Sequence, residues 1–206
     1  MRSATARTSN PLIFPRATAL LLPALPALLA LAASPVAGQT WSYASADSAF
    51  MAGMIGHHAQ AIVMSNLAPE RASSEQVKTL AARIIVSQRD EITAMWSWLA
   101  QYDLPMPDTS SQHHGHGESM PGMLSPAQMK ELDAARGAEF DRLFVTLMIQ
   151  HHQGALTMVD RLLQTPGAAK DSFVFRVAAD VHADQTAEIE RMARLLLTLP
   201  VAGRNP

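Results

Sequence analysis

The 206-residue sequence contains no cysteine. Disulfides therefore contribute nothing to its stability, and no thiolate is available as nucleophile or metal ligand. Aromatic residues make up only 5% of the chain, so aliphatic side chains, alanine and methionine must fill the core. No acidic residue precedes Asp47. No segment reads as a strand, no glycine-rich loop suits a phosphate, and no cofactor fingerprint or nucleophile arrangement occurs. The formal charge of −2 is no footprint for nucleic acid, and no basic amphipathic stretch suits a membrane surface.

What is present starts with an export signature. Arg2, Arg7 and Arg16 accompany an Ala- and Leu-rich run from Ala17 to Ala33, broken by Pro23 and Pro26, with small residues at Val36-Ala-Gly38. A basic start, a short apolar run and a small-residue site describe a secretory signal peptide. The run falls short of the ~20 residues that cross a bilayer. Residues 1–38 are expected to be the signal, cleaved after Gly38. Residues 39–206 then form one periplasmic or secreted domain with no membrane attachment. Loss of the three arginines takes the formal charge from −2 to −5, whereas all eight histidines and every methionine except Met1 remain.

One pattern organises that domain. Phe50-Met-Ala-Gly-Met54-Ile-Gly-His57-His58-Ala-Gln-Ala61-Ile62-Val-Met64 returns as Phe144-Val-Thr-Leu-Met148-Ile-Gln-His151-His152-Gln-Gly-Ala155-Leu156-Thr-Met158, with Asp47 and Asp141 at matching offsets. At about 100° per residue, Phe50, Met51, Met54, His57, His58, Ala61 and Ser65 form one stripe of a helix. A second correspondence joins Gln88-Arg-Asp-Glu91-Ile92-Thr-Ala-Met95 to Gln185-Thr-Ala-Glu188-Ile189-Glu-Arg-Met192. The chain is thus a duplicated helical hairpin, with helices expected at about 45–66, 74–102, 138–164 and 170–199. Pro69 is expected to end the first. A short helix is expected from Pro126, with Gly137 as a joint before the third. Neither hairpin can bury its apolar stripe alone, and four helices packed together can. The linker 105–126 is long enough to run the length of the bundle. The expected fold is all-α, a ferritin-like four-helix bundle with a long central crossover; an up-down-up-down bundle with a loose loop is the alternative.

The repeats place Met54, His57, His58 and Met64 on one helix and Met148, His151, His152 and Met158 on its counterpart. If the copies face each other, four imidazoles and several thioethers converge near the bundle axis. Imidazole suits copper, zinc, nickel or iron, whereas thioether sulfur favours Cu(I). Copper, as Cu(I) or Cu(II), is therefore the expected cargo, with zinc also compatible. Gln88, Glu91, Gln185 and Glu188 fall on otherwise apolar faces and can accept the other ring N–H of each histidine, which orients the ligand. They could equally satisfy ordinary core histidines. The linker adds His113, His114, His116, Met120 and Met123 in a segment without helical or strand periodicity, so packing does not account for them. Mixed His and Met there can capture either copper oxidation state. His182 stands outside the repeat and is expected on the surface.

The motifs Met54-Ile-x-His57-His58-x-x-Ala61 and Phe144-x-x-x-Met148-Ile-x-His151-His152-Gln-Gly-Ala155 resemble domain-of-unknown-function family 305, and the match extends over about 45 to 198. The resemblance implies a ferritin-like four-helix fold and an exported bacterial protein. Some members are associated with copper. By position it implies Met54, His57, His58, Met148, His151 and His152 as metal-side residues. Val145 stands where the first copy has Met51, so the two copies are not equivalent.

Three functions follow. The first is an exported copper-binding protein, not an enzyme, that sequesters or hands on the ion. The second is a di-iron enzyme, which needs Glu-x-x-His motifs; here the residues three before the histidines are Met54, Ile55, Met148 and Ile149. The third is a metal-free structural or interaction module with hydrogen-bonded core histidines. Alanines along the helices, including Ala59, Ala81 and Ala82, could support a homo-oligomer.

Overall fold

The computed structural model describes residues 43–107 and 120–201. The expected signal peptide and the linker histidines His113, His114 and His116 lie outside them. The described residues form six helices and no strand: α1 (Ser45–Ser65), α2 (Ala68–Arg71), α3 (Glu75–Gln101), α4 (Pro126–Ala134), α5 (Gly137–Gln164) and α6 (Ser172–Thr198). None is long and apolar enough to cross a membrane.

Local chemistry sets the helix ends. Ala44 caps α1, and the Asp47 carboxylate reaches back to accept its N–H at 3.1 Å. Ser74 caps α3 through its side chain, which accepts from Val77 N. Ser125, Pro126 and Gln128 make a reciprocal capping box at the start of α4. Proline suits the first helical turn because its missing N–H has no partner there in any case. For that reason Pro69 does not end α1. The helix stops at Ser65, and Pro69 sits in the first turn of α2, a short helix that periodicity does not signal.

Two carboxylates fix how the hairpins pack. Asp47, at the start of α1, accepts from Ala169 N (2.7 Å) in the turn between α5 and α6. Asp141, its repeat mate at the start of α5, accepts from Ser73 Oγ (2.5 Å) and Ser74 N (2.9 Å) in the turn before α3. Each hairpin thus holds the turn of the other, and α1 runs antiparallel to α5. It follows that α3 and α5 run parallel, so that the end of α3 and the start of α5 lie at opposite ends of the bundle. The fold is a ferritin-like four-helix bundle made from a duplicated hairpin with one long crossover. Both acids are almost wholly buried, and their repeated offset is the sequence trace of this two-fold arrangement.

The core has two halves. One holds Phe50, Met51, Met54, Ile55, Met95, Trp98 and Ala155 near the start of α1. The other holds Met64, Leu80, Ile84, Phe140, Phe144, Met148 and Met192 near its end. Every residue of the predicted α1 stripe is buried. Ala59 and Ala81 are buried within this one chain and only Ala82 is exposed, because the α1–α3 packing covers them. They offer no alanine face to a second copy.

Candidate metal centre

Between the two core halves lies a polar layer. His57, His58, His151 and His152 are each 0–1% exposed. They arrive there because α1 and α5 cross antiparallel at the level of the repeated histidine pairs. The rings of His57 and His151 lie face to face, with centroids 3.9 Å apart and planes tilted by 39°. His58 and His152 stand further off, 6.4 and 6.2 Å from the ring of their chain neighbour. So the structure brings two imidazoles together and sets the other two outward. Among the described residues, no three His, Asp or Glu side chains close on a single point.

The outer pair is drawn off by carboxylates. His152 Nε2 donates to Glu188 Oε2 at 2.6 Å. In the first copy His58 Nε2 lies 2.5 Å from Glu91 Oε2, a close contact that lacks hydrogen-bond alignment. Glu91 and Glu188 thus sit where a repeat relation predicts. Gln88, 1% exposed, has no partner for either atom of its carboxamide. Gln185 is equally buried on α6.

The inner pair is asymmetric. His57 Nε2 donates to the carbonyl of Pro121 at 3.0 Å, which leaves Nδ1 as the ring's lone pair, buried and without a partner. Neither nitrogen of His151 makes an aligned hydrogen bond, although the His57 backbone lies close enough to favour its protonated form. A buried polar group left unsatisfied costs about 1–3 kcal/mol. Burial and the neighbouring His58 push the His57 pKa down to about 3, against the opposing Pro121 bond. Burial, then His57 and the other two histidines, holds His151 well below its ordinary value. Both rings are therefore neutral at pH 7, with ring lone pairs available and no proton to displace.

Methionine surrounds this layer. Met54 and Met148 are fully buried, each one turn before its own histidine pair and in opposite core halves. They flank the layer rather than meeting at one point. Met64 is buried in the half that contains Met148. Met158 is only partly buried and packs against the other half. Met120 and Met123 are also partly buried, and His182 is exposed.

The DUF305 profile, a domain of unknown function, matches residues 47–196. The chain belongs to the DUF305 family. A DUF305 protein from Streptomyces coelicolor, provisionally described as secreted, has a similar structure: TM-score 0.65 at 31% identity, covering 74% of this chain and 93% of that one. CopM is also similar. Its Cu(I)-bound form has a TM-score of 0.57 and its Cu(II)-bound form 0.60, each at 29% identity over 73% of this chain and 95% of CopM; a silver-bound form is similar too. A shorter match, 41% identical over 58 residues, relates the chain to uncharacterized protein L153 of Acanthamoeba polyphaga mimivirus. It spans 28% of this chain and 38% of that relative.

In this DUF305 chain the crossover builds part of the centre, which the repeat pattern does not reveal. Gln60 on α1 clamps Leu124 twice, donating to its carbonyl at 3.0 Å and accepting from its N–H at 2.8 Å. Gly122 has a φ of +76° and lies against the α5 backbone, where a Cβ would meet the carbonyls of Gln150 and His151 at 2.7 and 2.8 Å. Opposite it, a Cβ on Gly154 would strike the Pro121 carbonyl group. Two glycines thus let the strap 120–124 settle over α5, and Gln60 fixes it to α1. The only signal in the sequence is the break in the repeat, where Gly154 stands opposite Gln60 in register.

Proposed function

We infer that this protein is an exported copper-binding protein that holds the ion between His57 and His151 and sequesters or passes it on. The observation that carries this reading is the inner pair: His151, a wholly buried neutral imidazole with no aligned partner on either ring nitrogen, has its ring centroid 3.9 Å from that of His57, whose Nδ1 is also unpartnered. A metal-free module has no use for such a pair, because burial without a partner is destabilising. Two neutral nitrogens, with Met54 and Met148 one turn away in the two core halves, suit a soft ion such as Cu(I). Glu91 and Glu188, held against His58 and His152, place negative charge near a buried cation. The copper- and silver-bound forms of CopM support the choice of ion, and the N-terminal export pattern supports a periplasmic or secreted location. No catalytic group is assigned. The linker histidines His113, His114 and His116, with Met120 and Met123, supply a separate capture element.

The test is a chelator-competition titration with Cu(I), Cu(II) and Zn(II) on three proteins: the parent, His57→Ala/His151→Ala, and a chain lacking residues 112–119, which removes the linker histidines and keeps the strap. The double substitution is expected to weaken Cu(I) binding about 100-fold or more, equivalent to ~2.7 kcal/mol. Parent-like affinity in that variant would show that the bundle centre is not the site. Loss confined to the deletion would assign binding to the linker alone.

A further inference from the structure

Between α1, α5 and the strap lies a feature that the histidine centre does not use. A groove of about 740 Å³ opens there, lined by Ala46, Phe50, Gly53, Met120, Met158 and Arg161, among others. Its floor is Gly53, with Gly56 beside it. A point one methyl group above Gly53 lies 3.4 Å from Met158 Cε and 3.6 Å from Met120 Sδ, and the corresponding point above Gly56 lies 3.7 Å from Met120 Cε. The Met158 methyl and the Met120 sulfur, from α5 and the strap, therefore lie over the same turn of α1. There is room for both because Gly53 and Gly56 put no side chain on that face of the turn; the repeat mates of the two glycines are Leu147 and Gln150. The methionines of the two central motifs that face the core, Met51, Met54, Met64 and Met148, are all fully buried, whereas Met120 and Met158 are partly open to solvent. Helix propensity argues against glycine at two mid-helix positions by about 1 kcal/mol each relative to alanine, so their presence here marks space that is kept.

We propose that Met120 and Met158 form a second, outer site for a soft monovalent cation, seated over Gly53 and Gly56. Thioether sulfur selects Cu(I)-type ions over hard ones. The Arg161 guanidinium at the rim is exposed, and its repulsion of a doubly charged ion is twice that of a singly charged one, which adds to the preference for a monovalent ion. The site is one residue from the histidine centre, since Pro121, next to Met120, carries the carbonyl that accepts from His57 Nε2. It rests on the copper reading for the identity of its ion and not for its geometry.

The test uses Ag(I) as a diamagnetic soft probe on the mature chain labelled at the methionine methyl carbons, followed by NMR. The Met120 and Met158 methyl signals are expected to shift together as Ag(I) is added. In Met120→Leu the Met158 signal should stay at its ion-free position, and in Met158→Leu the Met120 signal likewise, because one thioether holds the ion too weakly. Gly53→Leu keeps both sulfurs but fills the floor, and should abolish both shifts while leaving the helical circular dichroism unchanged. In His57→Ala/His151→Ala both methyl signals should still move, which separates this site from the central one. The proposal is overturned if the two methyls never move with excess Ag(I), if Met158 shifts fully without Met120, or if filling the groove changes nothing. Any of these leaves the histidine pair to be judged by its own ring signals.

Discussion

Metal-free protein, kept so with a chelator, is expected to lose about 2 kcal/mol of stability between pH 7 and pH 5 through His57, with a further loss in the same direction through His151. The cause is the pair of buried neutral imidazoles. In the unfolded chain both His57 and His151 titrate near 6.5; in the folded chain the first is depressed to about 3 and the second lies well below its ordinary value. As pH falls below 6.5 the unfolded state takes up protons that the folded state refuses. Their contribution to stability is therefore complete above pH 6.5 and declines as the pH falls, for His57 down to about pH 3. His57 loses ~1.4 kcal/mol per pH unit, about 2 by pH 5, and His151 adds to the loss in the same direction. For a domain of this size the His57 loss alone lowers the melting temperature by roughly 4–8 °C. His57→Leu/His151→Leu should flatten the profile, since the groups that drive it are gone. A parent melting temperature that stays level from pH 7 to pH 5 contradicts the burial argument.

A single methyl group added at position 154 is expected to cost about 3 kcal/mol, the upper end of ordinary overpacking. The reason is that the new Cβ meets the Pro121 carbonyl group and the Gly122 backbone, and backbone cannot rotate out of the way as a side chain can. Relief requires the strap to lift, which breaks the Pro121–His57 hydrogen bond and strains the double clamp of Gln60 on Leu124. Gly154→Ala should accordingly lower the denaturation midpoint and also leave His57 without its Nε2 acceptor. Gly53→Ala is the control. Its Cβ would stand at ordinary contact distance from Met158 and Met120, and it should be neutral or stabilising because alanine favours helix. Equal behaviour of the two variants would show that the strap is not seated on α5.

The helices were legible because periodicity and duplication agree. The stripe from Phe50 to Ser65 is buried throughout, and the Gln-x-x-Glu-Ile-x-x-Met segments place Glu91 and Glu188 at the outer histidines. The crossover was legible in the length of the linker, whereas the matching offset of Asp47 and Asp141 acquires meaning only once each is seen to hold the other hairpin's turn. Less legible was the division of labour among four histidines. Spacing alone puts His57 and His58 on either edge of one stripe and cannot say which ring turns inward. That choice is made by α3 and α6, whose carboxylates take His58 and His152, and by the crossover, whose Pro121 carbonyl takes His57. Gln60, Gly122 and Gly154 act across the bundle on a segment without periodicity. A method that reads one helix at a time has no signal for them.

The most direct test of the account is nitrogen NMR of the imidazoles as Cu(I), itself diamagnetic, is added to ¹⁵N-histidine-labelled mature protein. Coordination between the inner rings predicts that His57 Nδ1 and a ring nitrogen of His151 shift strongly. His57 Nε2 should stay protonated on Pro121, and His58 and His152 should move less. Unchanged ring nitrogens at His57 and His151, while copper is bound elsewhere on the chain, would contradict it.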